Sequence, residues 1–478
     1  MSDGRISKYS QGELTALAAL VGQLGLTEYF GGEASLWGAD PILRSPHRLG
    51  EAISNLLLLD GIAASAIWQY RTGQTNDLDL NILDAIHHLH PTHFLWQADH
   101  HLNLGAEDVP TNGMYQCRDG RFIMIEAGPP YPQLQNGYLN FFNCGNSRQA
   151  LAAAIANWPS VLLEESLAVA GLPGCIALTR EEWRNHPQGK LLAQAPLIEI
   201  EKIGESAPQP FSPNPASALA GIKVLDFTHV LAGPRSTRTL AEFGAKVLHL
   251  SSPYHADTAI QNLLVNHGKR SAYLDMHSAG AKPRLDALLA DADVFAFSYR
   301  PSIAEKFQIT PAEVAGLSKK GIVHLSVNAY GHAGPWRQRP GFDQNGQVAT
   351  GFAVEEGSLD QPRFTPVFYL NDLIAGYAAA AGMMAALLRR ACEGGSYHVK
   401  VSLARSAMWV QDLGGVEQAQ WSAAPGSDTY PANLTSAQTA FGKLTYLAPA
   451  VRFSTLPKVD LLPVAPYGAH AASWEQDW

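Results

Sequence analysis

Cysteine is scarce. The four in 478 residues, Cys117, Cys144, Cys175 and Cys392, stand far apart, with neither pairing nor metal-ligand spacing. That excludes a disulfide scaffold and suits a reducing compartment. Positive charge is short as well: 34 Lys and Arg against 43 Asp and Glu leave a net charge of −9. This argues against a nucleic-acid or anionic-membrane partner. No basic-then-apolar order follows the polar start MSDGRISKYSQGEL, so nothing there reads as a signal peptide. No apolar run approaches the roughly 20 residues expected to span a bilayer. These absences read as a cytoplasmic globular protein with room for two or three domains.

Familiar catalytic signatures are missing too. No G-x-G-x-x-G follows the first strand and no G-x-x-x-x-G-K-[ST] occurs, so the phosphate cradles of dinucleotide and P-loop proteins are not expected. There is no G-x-S-x-G elbow and no H-E-x-x-H. Ile86–Asn103 holds six histidines: His87, His88, His90, His93, His100 and His101. Some share a helical face as zinc ligands do, but no carboxylate or cysteine completes a set, and no metal is expected.

What is present centres on Pro366–Leu388, PVFYLNDLIAGYAAAAGMMAALL. Val367–Leu370 reads as a strand end and Ile374–Leu388 as a buried helix whose small residues allow close packing. Asp372 then falls at the junction, facing the helix start, where the dipole favours its ionised form. The plain alternative is a helix N-cap.

Earlier in the chain, Gln11–Tyr29 reads as an amphipathic helix. NLLLLDGIAASAIW reads as a second small-residue apolar helix, followed by a Gly turn and an alternating strand. The order recurs later: a shift of 321 residues places Glu51 on Asp372, Ile53 on Ile374, Gly61 on Gly382 and Gly73 on Gly394, a weak internal repeat. Asn112–Pro130 reads as a hairpin turning at Asp119–Gly120. Ala207–Ser217, APQPFSPNPAS, is the clearest linker.

Beyond it, short apolar strands alternate with helices: GIKVLDFT, KVLHLSS, SAYLDM, DVFAFSY, GIVHLSVNAY. That is the pattern of a doubly wound parallel α/β sheet, with a smaller α+β domain before the linker. Ligands of such sheets bind beyond the carboxyl ends of the strands. The loops there are FTHVLAGP, NHGKRS, SYRPSIAEKF, AYGHAGPWRQRPGFD and LNDLIAGY.

This set, in this order over Leu219–Ser406, resembles the family III CoA-transferases, a group that includes acyl-CoA racemases. The resemblance implies a Rossmann-like CoA-binding domain at 219–425 and a tail at 426–478 packed on it. It also implies that 1–103 is the latter half of a degenerate first repeat, 104–206 a small domain and 207–218 a linker. It implies an acyl-CoA:carboxylate CoA-transferase with Asp372 as nucleophile, acyl-CoA and a carboxylic acid as substrates, and coenzyme A as the group carried, without metal. Val230, Leu231, Ala232, Lys269, Leu274, Arg300 and Lys306 fall on its CoA-binding positions, and Tyr330, Trp336 and Tyr369 are candidate pocket walls. Members are typically interlocked dimers. A trimmed tandem would form a monomeric pseudo-dimer, with Glu51 marking a vestigial site; the alternative is a homodimer.

The departures are specific. Ser251–Ser252 replaces an acidic-basic pair, His267 an arginine, and Ala259 the end of an Asp-Thr-Arg triplet. Arg235 and Arg238 stand either as substitute phosphate contacts or as ordinary surface. Gly341–Phe342–Asp343 lacks the histidine of the racemases, and Phe cannot titrate. A racemase, isomerase or lyase using the same pocket, or a non-catalytic scaffold, are the alternatives.

Overall fold

The computed structural model describes residues 5–7, 14–102, 109–128, 131–367, 369–426 and 429–475. Six parallel strands follow the linker: β1 (Lys223–Phe227), β2 (Lys246–Ser251), β3 (Lys269–Tyr273), β4 (Val294–Phe297), β5 (Val323–Asn328) and β6 (Ser396–Ser402). Most of their residues are buried, as expected of strands covered on both faces. Their spatial order is β3-β2-β1-β4-β5-β6, and the Glu199–Gly204 strand closes the far edge antiparallel to β6. Strand order reverses between β1 and β4, which opens a crevice at their carboxyl ends.

Three helices carry the core: α1 (Leu49–Thr72), α2 (Ala232–Glu242) and α3 (Leu370–Glu393). α3 packs against both of the others. Its small residues permit this: a Cβ on Gly376 would lie 2.9 Å from the Ala232 carbonyl oxygen, so any side chain there would push α2 away. α1 and α3 are long and apolar enough by length and composition to cross a bilayer, contrary to the expectation that no segment approaches that limit. Their apolar windows are 94% and 100% buried inside this fold. The sequence reading missed this because Gly, Ser and single polar residues interrupt each run.

The strand expected at Val367–Leu370 is absent. Val367 lies in irregular chain, Phe368 is outside the described residues, and α3 already starts at Leu370. The sheet has no place for such a strand, because β6 pairs directly with β5. Asp372 therefore sits within the first turn of α3, and Tyr369 is the N-cap. The expected Gln11–Tyr29 helix runs over Thr15–Gln23, residues 11–13 being outside the described residues. The small domain has a three-stranded antiparallel sheet, Asn112–Gln116, Phe122–Glu126 and Gly174–Ile176, covered by helices between Pro132 and Val169.

The N-terminal portion builds a second, shorter sheet. Ala34–Trp37 runs parallel to Leu78–Asn81, and Arg452–Phe453 from the tail adds antiparallel to the outer edge. The tail thus divides, pairing with residues 78–79 here before running over the large sheet, where Gly268 N–H donates to Leu462 O and Asn262 Nδ2 to Ala465 O. α1 and α3 each have 24 residues, and their first residues, Leu49 and Leu370, stand at the 321-residue shift.

Candidate active site

A cleft of about 440 Å³ opens at the crevice. The loop after β1 supplies His229, Val230, Ala232 and Gly233, and the loop after β4 supplies Ser298, Tyr299 and Arg300. The end of β5 gives Ala329, the loop beyond it Phe342, α3 gives Asp372, and the small domain gives Tyr131. Four sequence-expected residues, Val230, Ala232, Arg300 and Asp372, therefore meet on one surface.

The others do not. Leu231 turns away beside Arg235 and Tyr377. Leu274 lies in the core beneath β2 and β3, and Lys306 is exposed with its ammonium over the Phe307 ring. Lys269 is 1% exposed, and its ammonium donates to Asp226 Oδ2 at 2.9 Å and Pro234 O at 2.8 Å. It holds the loop from below instead of meeting a ligand. Arg235 and Arg238 are neither surface nor cleft; both are buried and share Glu242. Tyr330 and Trp336 are core, stacked edge-to-face with each other, and Tyr369 packs partly buried against the core clusters.

Val230 has φ +67°, a conformation that costs a β-branched residue of order 1–3 kcal/mol. Asp257 enforces it. One carboxylate oxygen accepts the Val230 N–H at 2.8 Å, and the other accepts the Tyr131 hydroxyl at 2.6 Å. The small domain is thereby tied to the strained loop through one side chain. His229 stacks on Tyr299 with ring centroids 4.2 Å apart and accepts or shares a proton with Ser298 Oγ at 2.9 Å.

Asp372 is 6% exposed, and its backbone N–H donates to Asp343 Oδ2 at 2.8 Å. That N–H is therefore committed within the fold and cannot face a substrate oxyanion. The backbone amide that acts to lower the Asp372 carboxyl is that of Ala232, at the start of α2. The expectation of a readily ionised Asp372 is also overturned. Burial pushes its carboxyl well up, the neighbouring Asp343 adds to this, and the Ala232 amide only partly opposes it.

Asp343 was legible as part of P-G-F-D but was not singled out. Burial pushes it up to about 7 against the amides of Asp372, Asn371 and Gln347. Glu126, on the small-domain hairpin, is the third member. Burial, then Asp343 and Asp372, raise it well above the usual range. No spacing in the sequence connects Glu126 to the other two.

A group whose folded pKa is raised holds a proton that the unfolded chain has already released. Stability must then fall as pH rises from about 4 through about 7, by up to about 1.4 kcal/mol per unit for Asp343. Asp343→Asn should flatten that part of the difference curve, at the cost of about 1 kcal/mol for one lost hydrogen bond. Urea denaturation of both proteins across pH 4–8 measures it; parallel curves would refute the assignment.

The fold is that of a doubly wound α/β protein, and its cleft opens where the strand order reverses. Residues 219–440 match the family described as CoA-transferase family III. The acetyl-coenzyme A transferase nodX of Hypoxylon pulicicidum is 30% identical over 347 residues, covering 67% of this chain and 58% of that protein. A probable fatty acyl-CoA transferase of Mycobacterium tuberculosis is 31% identical over 215 residues, 41% of this chain and 53% of that one. Its orthorhombic crystal structure aligns with a TM-score of 0.39 over 42% of this chain and 57% of the other. The chain spans about half the length of the relatives it matches.

Proposed function

We propose that the protein is an acyl-CoA:carboxylate CoA-transferase and that Asp372 is its nucleophile. The observation that carries this reading is the position of Asp372: a buried carboxyl in the first turn of α3 that reaches the cleft formed by Val230, Ala232 and Arg300. Relatives named as acetyl-CoA:oxalate and formyl-CoA:oxalate CoA-transferases, at 29% and 28% identity, support the same chemistry.

The cleft suits such a substrate. Arg300 and Arg337 stand exposed at its rim, where guanidinium groups would pair with a diphosphate. Arg339 is committed to Glu164, Glu165 and the Trp336 ring. Approach of positive charge would favour the ionised Asp372 carboxylate against the burial that holds its proton on. Its oxygen would attack the thioester carbonyl and the C–S bond would break, leaving a mixed anhydride and CoA thiolate. The thiolate would then attack the aspartyl carbonyl and release the acyl carboxylate, and an acceptor carboxylate would reverse the sequence on the aspartyl thioester. The Ala232 amide at the start of α2 lies where it can stabilise the oxyanion. Phe342 lines the cleft at the position where a racemase needs a second base, which disfavours that alternative.

The test is intact-mass spectrometry after incubation with a panel of acyl-CoAs and trapping with hydroxylamine. A mass label on the peptide containing Asp372 is expected. Failure of every thioester to label, with no CoA binding by calorimetry, would overturn the reading.

The same proposal includes a cytoplasmic location and a pseudo-dimer built from one chain. Two correspondences support the latter. The N–H of Glu51, third residue of α1, donates to Asp40 Oδ2 at 2.7 Å, as that of Asp372, third residue of α3, donates to Asp343. The outer strand of each sheet comes from the segment that follows the other half: Glu199–Gly204 on β6, Arg452–Phe453 on Leu78–Asp79. Glu51, however, pairs with Arg48 at 3.2 Å, and Ile82 fills the space against Gly38 and Gly50 where the second half has its cleft. Sedimentation should therefore return a monomer of 51.5 kDa with one acyl site per chain; an obligate homodimer would count against it.

A further inference from the structure

A second cavity, of about 400 Å³, lies away from the cleft, between α1, the C-terminal turn of α2 and the tail. Its walls are mostly apolar, including Leu57, Phe243, Val451 and Leu456, and Lys458 stands exposed at its rim. One wall carries Asp60, 3% exposed, whose two carboxyl oxygens meet no donor in hydrogen-bonding geometry among the described residues. A buried polar group left in this state costs stability unless something bonds to it.

The packing of the helices does not call for an acid there. At the 321-residue shift Asp60 of α1 corresponds to Ala381 of α3, a methyl group in an otherwise similar small-residue helix. The groups facing it from neighbouring elements are accounted for. Glu242 accepts from both Arg235 and Arg238, and Arg235 lies 5.0 Å over the Tyr377 ring. The Tyr377 hydroxyl bonds His88 Nδ1 at 3.0 Å. Burial, with Glu242, raises the Asp60 acid, and Arg235 and the Ala381 amide only oppose this.

We propose that this cavity is a ligand site for a small, mainly apolar molecule that presents a terminal hydrogen-bond donor to Asp60. An amine or a hydroxyl satisfies that chemistry. A carboxylate does not, because it would bring an acceptor and a negative charge to a wall already holding Asp60 and Glu242. The volume is that of ordinary small-molecule sites, and no residue of the candidate active site lines it.

The probes are n-hexylamine, 1-hexanol and hexanoate, titrated into the full chain and followed by ligand-observed NMR. The amine and the alcohol should bind in the millimolar range, and hexanoate should not. Asp60→Leu should weaken both by about tenfold or more. Leu456→Trp, which keeps Asp60 and fills the cavity, should abolish binding; Asp60→Leu should also raise the melting temperature, which guards against misreading a folding defect. Hexanoate binding as well as hexylamine, equal affinity in Asp60→Leu, or no binding of either donor to the wild type would each overturn the proposal.

Discussion

Asp372→Asn should bind acyl-CoA about as well as the wild type and transfer essentially nothing, with kcat reduced by about 10⁴-fold or more. Asn keeps the size of the side chain and can still accept from the Ala232 amide, so the cleft walls should stay in place. What disappears is the oxygen proposed to form the covalent intermediate, and with it the division of one difficult transfer into easier steps. The effect should fall on kcat with the dissociation constant of CoA unchanged. Stability should move the other way. Because burial and Asp343 hold the Asp372 acid up, the folded protein is penalised above the ordinary carboxylate range, and the variant should melt higher at pH 8. Steady-state transfer assays, CoA calorimetry and thermal denaturation separate these outcomes. A variant that keeps about a tenth of wild-type turnover sinks the nucleophile assignment.

Lys269→Met should unfold about 3–5 kcal/mol more easily, the largest stability loss expected of any single change here. Asp226, at the carboxyl end of β1, is fully buried and accepts from Lys269 at 2.9 Å, Thr237 Oγ1 at 2.7 Å and Thr228 Oγ1 at 2.5 Å, with His249 Nδ1 at 3.2 Å. Burial alone would raise the Asp226 acid, but Lys269 and then His249 and Thr228 hold it well below the usual carboxylate range. Burial lowers the Lys269 ammonium to about 8 despite that partner. Removing the lysine leaves a buried carboxylate without its cation. The contribution of a depressed carboxyl is complete above about pH 4 and is lost as pH falls, so the deficit should narrow in acid. Lys269→Met with Asp226→Asn should recover part of the loss, since a neutral pair needs no counter-charge. Equilibrium denaturation checks this; a single variant within about 1 kcal/mol of the wild type would show the pair to be dispensable. Because the ammonium also bonds Pro234 O in the first turn of α2, the single variant should loosen the Val230–Gly233 loop and weaken CoA binding.

Lys269, which the resemblance put at a CoA-binding position in N-H-G-K-R-S, is thus buried beneath the Val230–Gly233 loop. The sequence reading put Lys269 in a loop before SAYLDM, whereas it opens β3, and that reading could not say which way the side chain runs. In β3 one face looks toward α2 and Asp226, and the parallel pairing with β2 decides it. Arg235 and Arg238 show the same limit: the sequence left them as substitute phosphate contacts or ordinary surface, and packing against α3 buried them with Glu242.

Alternating apolar strands and helices were enough to determine the doubly wound sheet, because strands covered on both faces must be continuously apolar. The loop motifs at the strand ends were enough to single out Val230, Ala232, Arg300 and Asp372, because loops at one end of such a sheet converge on one crevice. Tertiary structure alone decided the rest. The charge state of Asp372 depends on its burial and on Asp343 from a helix before it, and the strain at Val230 on Asp257 and Tyr131. Burial and the approach of distant charges set these properties, and neither is local in the chain.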